Sequence, residues 1–114
     1  MPFEIFRSER TERWYFRLKQ GNGQTILTSE AYTSKVGAEN GVKSVMINSG
    51  KDERYERKKG TSAGQDIYYF LLRAANGAKI GKGDTYNTAT GMEHAIANTK
   101  KYGVRESEIK ILTK

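Results

Sequence analysis

The chain has 114 residues, of which 36% are hydrophobic and 11% aromatic, enough for one domain with one core and no covalent staples. It has no cysteine, which excludes disulfides, zinc–thiolate centres and a thiol nucleophile together. The net charge is +7 and lopsided: residues 1–52 carry 8 basic against 6 acidic side chains, residues 53–114 carry 12 against 7. A basic balance raises the odds of an anionic partner, nucleic acid among them, but it also serves solubility alone.

The opening segment, MPFEIFRSERTER, turns charged at once, and no run of 18 apolar residues occurs. The expectation is therefore a cytoplasmic protein that does not enter a membrane. A first short strand is predicted at Phe3–Phe6. Trp14, Phe16 and Leu18 then alternate with Tyr15, Arg17 and Lys19, the period of a half-buried strand. Asn22-Gly23 predicts a tight hairpin turn with two positive-φ residues, followed by a strand over Gln24–Leu27.

Ser34 is placed to cap a helix whose apolar stripe is Ala38, Val42, Val45 and Met46. Gly37 and Gly41 weaken that helix by about 1 kcal/mol each relative to Ala, and a close approach to the sheet would explain them. A strand over Arg54–Lys58 follows, then a polar link at Thr61–Gln65.

From there the pattern returns. Shifted by 54, residues 14–48 lie over 68–102 without a gap, and nine of 35 positions are identical. They include Tyr15/Tyr69, Phe16/Phe70, Leu18/Leu72, Asn22/Asn76, Gly23/Gly77 and Tyr32/Tyr86. Copy two repeats the alternating strand at Tyr68–Arg73, the Asn-Gly turn, and a short strand over Ala78–Gly81. Its helix is capped by Thr88 or by the competing box Thr90-x-x-Glu93, with a thinner stripe of Met92, Ala95, Ile96 and Thr99. A last strand is predicted at Glu108–Leu112. Copy two departs where Ser29-Glu30 becomes Gly83-Asp84 and where its helix ends in Lys100-Lys101.

The segments GNGQTILTSEAYTSKVGAENGVKSV, ERYERKK and FLLRAANGAKIG closely resemble the YegP-like family of small bacterial proteins, over nearly the whole chain and in the two-repeat arrangement. The resemblance implies β-β-β-α-β units that share one antiparallel sheet and exchange their C-terminal strands. It brings no activity, and fold analogy would not license one. The expected fold is α+β: one domain over residues 1–114, with repeat one at 1–58 and repeat two at 55–114, sharing the middle strand. Both helices lie on one face. Two units that complete each other predict a monomer.

No set of residues reads as a catalytic site. His94 is a lone histidine on a helix, without the partner that acid–base or metal chemistry needs. The acidic pairs Glu30/Asp84 and Glu39/Glu93 could mimic a glycosidase dyad, but helix-terminus electrostatics accounts for both. Tyr32 and Tyr86 read as packing anchors, and Gly81-Lys82-Gly83-Asp84 has the spacing of no phosphate loop. The basic set Arg54–Lys59, Lys100, Lys101 and Arg105 reads as solvated surface.

What remains is the sheet face opposite the helices, where Tyr15, Arg17, Tyr69 and Arg73 are expected to point outward. Aromatics and arginines on an open sheet are how several single-strand nucleic-acid binders work. Such residues also stabilise sheets as cross-strand pairs. The reading is a non-catalytic binding or structural module with no cofactor or metal. A weak, sequence-tolerant nucleic-acid binder using those four residues is the alternative, and an enzyme comes last. A site on the sheet is expected twice, once per copy.

Overall fold

Among the described residues, strand periodicity and helix spacing resolve into seven strands and two helices. The computed structural model describes residues 3–103 and the backbone of Ile109–Leu112. In chain order the elements are β1 (Phe3–Arg7), β2 (Trp14–Lys19), β3 (Thr25–Ser29), α1 (Lys35–Asn48), a single 3-10 turn (Asp52–Arg54), β4 (Tyr55–Ser62), β5 (Gln65–Arg73), β6 (Lys79–Gly83), α2 (Ala89–Gly103) and β7 (Ile109–Leu112).

They form one sheet in the order β4-β5-β6-β3-β2-β1-β7. The six strands from β4 to β1 are antiparallel throughout, two three-stranded meanders joined through β3 and β6. A pseudo-two-fold axis therefore passes through the β3–β6 seam. β7 is added parallel to β1 at the outer edge, with Phe3 opposite Ile109. Each strand that follows a helix thus pairs in the other half: β4 leaves α1 to join β5, and β7 leaves α2 to join β1. That is the exchange the resemblance implies.

The two copies share a 54-residue offset from β2 onward, but their first strands do not. Phe3 pairs with Leu18, and Tyr55 pairs with Leu72. Tyr55 is thus the counterpart of Phe3, at an offset of 52. The difference lies in the connection: residues 8–13 join β1 to β2, whereas only Ala63 and Gly64 join β4 to β5.

Two local expectations are corrected and one open alternative is resolved. The turn with two consecutive positive φ angles is Ala63-Gly64, at +50° and +78°, inside the segment read as a polar link. Its polar residues are paired strand residues, with Ser62 opposite Gln65 and Thr61 opposite Asp66. At Asn22-Gly23 and Asn76-Gly77 only the glycines have positive φ. Each turn closes on its glycine amide, Gly23 N–H to Gln20 O and Gly77 N–H to Ala74 O, while each asparagine Oδ1 accepts from the residue two further on. The asparagines act through their side chains, so a left-handed backbone is not needed there. Finally, Thr88 caps α2, its Oγ1 accepting from Gly91 N–H at 3.0 Å just as Ser34 Oγ accepts from Gly37, and the Thr90 box loses.

Both helices cover one face. Ala38, Val42 and Val45 of α1 and Met92, Ala95 and Ile96 of α2 pack against Phe3, Ile5, Phe16, Leu18, Leu27, Phe70 and Leu72 of the sheet. At about 25 cal/mol per Å² of apolar surface this continuous core is the main stabilising term. The helix ends meet near the axis, with Gly103 packed on Ser49, residues that correspond between the copies. Tyr55 reaches the same point and donates its hydroxyl hydrogen to Ser49 O at 2.6 Å. Among the described residues no helix is long and apolar enough to cross a membrane.

Candidate functional site

Strand parity decides what the other face displays. With Phe16, Leu18, Phe70 and Leu72 committed to the core, Tyr15, Arg17, Lys19, Tyr69, Leu71 and Arg73 must point away from the helices. The sequence-predicted set Tyr15, Arg17, Tyr69 and Arg73 therefore sits on the open face. It is not one cluster. β2 and β5 are three strand steps apart, roughly 14 Å by strand spacing.

The arginines are engaged. Arg17 Nε donates to Glu4 Oε1 at 2.7 Å, Lys19 Nζ lies 3.4 Å from the same oxygen, and the Glu4 side chain is only 12% exposed. Burial pushes the Glu4 carboxyl up, but Arg17 and Lys19 outweigh it and hold the group below the usual carboxylate range. In the other half Arg73 Nε donates to Glu56 Oε1 at 2.9 Å, Arg73 Nη2 lies 2.8 Å from the same oxygen, and Lys58 closes on Glu56 Oε2 at 3.5 Å. Hydrogen bonding from Arg73 lowers the Glu56 carboxyl as well.

The aromatics are also in use. Phe6 stacks on Tyr15, with centroids 5.8 Å apart, and Arg17 Cζ lies 4.7 Å from the Phe6 ring centre. Lys82 Nζ stands 4.7 Å from the ring centre of Tyr69.

Lys82 is the residue that sequence reasoning passed over. It lies on β6, exposed, and among the described residues it has no carboxylate partner. The usable signal was the repeat itself, because Lys82 falls 54 after Thr28 and the two are direct partners across the seam. A groove of about 410 Å³ runs over this seam, lined by Thr25, Thr28, Glu30, Lys79, Lys82 and Asp84 among others. Lys79 is paired with Glu30 at 3.5 Å, and Asp84 Oδ1 accepts from Thr85 N–H at 2.9 Å. Both lysines of the groove come from copy two, whereas three of its four hydroxyls, Thr25, Thr28 and Ser29, come from copy one and the fourth, Thr85, from copy two.

The remaining candidates are structural. His94 is exposed on α2. Arg57 joins Glu93 at 2.6 Å and Asp52 at 2.9 Å, and Lys100 joins Asp52 at 2.7 Å, so much of the late basic set ties β4, the 3-10 turn and α2 together. These hydrogen bonds from Arg57 and Lys100 hold the Asp52 carboxyl at about 2. Arg105 lies outside the described residues. Tyr32 and Tyr86 are half-buried against the core, each joined by its backbone to a sheet strand, at Trp14 of β2 and Tyr68 of β5. Burial raises both phenols. Among the described residues no group of His, Asp and Glu side chains is placed to hold a metal ion.

Comparison with known proteins agrees with this architecture. Residues 10–56 and 63–107 each match the model of the domain of unknown function DUF1508, one match per repeat. The UPF0339 protein YegP of Escherichia coli K12 is 46% identical over 105 residues, 92% of each chain, and that of Yersinia pestis is 39% identical over 111 residues. The solution structure of the E. coli protein, described as of unknown function, superposes with a TM-score of 0.85 and covers 97% of this chain and 91% of its own. A UPF0339 protein of Shewanella oneidensis, 36% identical, superposes equally well, covering 99% of this chain and 93% of its own. These relatives indicate no specific function, and by sequence and fold alike the chain belongs to the DUF1508 family.

Proposed function

We propose that this protein is a non-catalytic, cytoplasmic binding module whose ligand surface is the helix-free face of the sheet. The class of partner that fits is a flat, anionic one, single-stranded nucleic acid in particular. One observation carries this reading. The uncovered face presents the rings of Phe6, Tyr15 and Tyr69 among cations that outnumber its carboxylates, Arg17, Lys19, Lys58, Arg73, Lys79 and Lys82 against Glu4, Glu30, Glu56 and Asp84. Rings offer stacking at about 1–3 kcal/mol per base, and ammonium groups neutralise phosphates.

A purely structural module is the second reading, favoured by the way Glu4 and Glu56 already hold Arg17 and Arg73. Anisotropy of a labelled single-stranded oligonucleotide at about 20 and about 150 mM salt separates the two, because the phosphate contribution is strongest at low salt. Binding that weakens steeply with salt is expected; no binding at the lower salt would overturn the proposal. The module is proposed to act as a monomer. The outer edge of β4 carries Arg57, Lys58 and Lys59, charges that discourage strand-to-strand association. Light scattering at micromolar concentration should return the monomer mass.

A further inference from the structure

We infer that the β3–β6 seam holds a single phosphate subsite, with the phosphate seated over Thr28 between the Arg17 guanidinium and the Lys82 ammonium. Residues directly opposite one another on neighbouring strands share a face. Arg17 pairs with Thr28 and Thr28 pairs with Lys82, so a short exposed hydroxyl lies between two long cations. Their backbones are about 10 Å apart, two strand spacings. Arg17 rests outward against Glu4 and Phe6, and Lys82 outward against Tyr69, so a tetrahedral oxyanion is seated when both long side chains swing in over Thr28, with one donor below it and one on each side.

Continued outward from β6 to β4 and from β3 to β1, the same row reads Glu4, Arg17, Thr28, Lys82, Leu71, Glu56, so a carboxylate flanks the central cations on each side, and beyond Glu4 the edge strand β7 places Lys110. Along the other direction Glu30 and Asp84 stand at the two ends of the groove. A phosphate is repelled by these four carboxylates and drawn to the cations between them. Lys82 is the group with charge to spare. Arg17 is shared with Glu4 and Lys79 with Glu30, whereas Lys82 rests on the Tyr69 ring, which positions an ammonium without neutralising it.

The duplication does not repeat this seat, contrary to the expectation that a sheet site occurs twice. The counterpart of Thr28 is Lys82 itself, and the counterpart of Arg17 is Leu71, which is buried. Where the phosphate belongs to a nucleic acid, the proposal rests on the binding reading above; a free phosphate would meet the same three groups without it.

The test uses the ¹⁵N-labelled full chain and two probes, a single-stranded oligonucleotide and inorganic phosphate, with Lys82→Gln as the variant. Lys43→Gln, an exposed change on α1, is the control. With the oligonucleotide, amide shifts are expected to centre on Arg17, Thr28 and Lys82. Lys82→Gln should weaken binding several-fold at low salt and reduce the salt slope by about one, with no effect of Lys43→Gln. Binding that Lys82→Gln leaves unchanged in affinity and slope would overturn the subsite and leave the module reading standing. If the oligonucleotide does not bind, the module reading falls and inorganic phosphate decides the subsite. Saturable shifts at Thr28 and Lys82 that Lys82→Gln abolishes would support a small-anion site; flat spectra would overturn it.

Discussion

Phe16 and Phe70 occupy equivalent places in the two halves, both fully buried, yet the room for each ring is made on opposite sides of the core. In the first half the missing side chain is on the helix. A Cβ at Gly41 would fall on the Tyr32 hydroxyl and lie 2.7 Å from Phe16 Cε2. The strand opposite keeps Ser29, whose Oγ accepts from Phe16 N–H and donates to Glu30 O, both at 2.8 Å. In the second half the helix position is Ala95, and the missing side chain is on the strand. A Cβ at Gly83 would fall on the Phe70 ring, 2.6 Å from Cδ2 and Cζ. Phe16 lies in an edge contact with Phe3, Phe70 in a tilted one with Tyr55. One sequence unit thus supports two packings, and a volume lost on one layer is recovered on the other.

The largest expected effect comes from forcing the first solution onto the second half. Gly83→Ser restores the copy-one residue at a place where a rigid, fully buried ring already fills the space. Overpacking of this kind costs about 1–3 kcal/mol, and the upper end is expected because three ring atoms are struck at once. Urea denaturation should show the loss as a lower midpoint at unchanged slope. A variant as stable as the parent would mean that Phe70 can adopt the Phe16 arrangement, and the contrast between the halves would lose its content.

Gly41→Ala is the converse and should cost less, about 1–2 kcal/mol, because overpacking is partly offset by about 1 kcal/mol of improved helix propensity. The sharper measurement is the double variant Ser29→Gly with Gly41→Ala, which gives copy one the copy-two pattern. If the halves are alternative solutions, the strand glycine opens the space that the helix alanine closes. The pair should then be less destabilised than the sum of the singles, by about 1 kcal/mol of coupling. Simple additivity would show that Phe16 cannot make the move.

Much of this was legible in the residues, for identifiable reasons. Alternation around Phe16 and Phe70 fixed which strand residues enter the core, and parity then placed Tyr15, Arg17, Tyr69 and Arg73 on the open face. The stripes Ala38–Val42–Val45 and Met92–Ala95–Ile96–Thr99 were readable because helical spacing leaves one narrow apolar face. The longer reach of β4 and β5 was not, since Gly60–Gln65 has turn composition and only pairing with its own hairpin partner makes it strand. The engagement of Arg17 and Arg73 was hidden for a different reason. Their partners, Glu4 and Glu56, come from strands whose register is set by loops of unequal length, and an offset of 54 does not relate them. Lys82 stayed invisible until the seam gave it neighbours.

The smallest effect separates those two glutamates. Glu4 is largely buried between Arg17 and Lys19, whereas the Glu56 side chain is 42% exposed. Glu4→Gln should cost about 1 kcal/mol at neutral pH, in the range of a partly shielded ion pair, while Glu56→Gln should not move the midpoint measurably. The pH dependence supplies an independent check. A carboxyl held below its unfolded value contributes stability that is complete above that value, about 4, and is lost as pH falls through the folded one. Glu4 lies lowered in the fold, and Asp52 lies at about 2, so the parent should lose stability between about pH 4 and pH 2. Glu4→Gln removes one contributor, so its curve should run below the parent at pH 7 and converge on it in acid, retaining the part of the acid limb that Asp52 supplies. Parallel curves would mean that Glu4 acts through packing rather than charge, and the two halves of the open face would then be electrostatically alike.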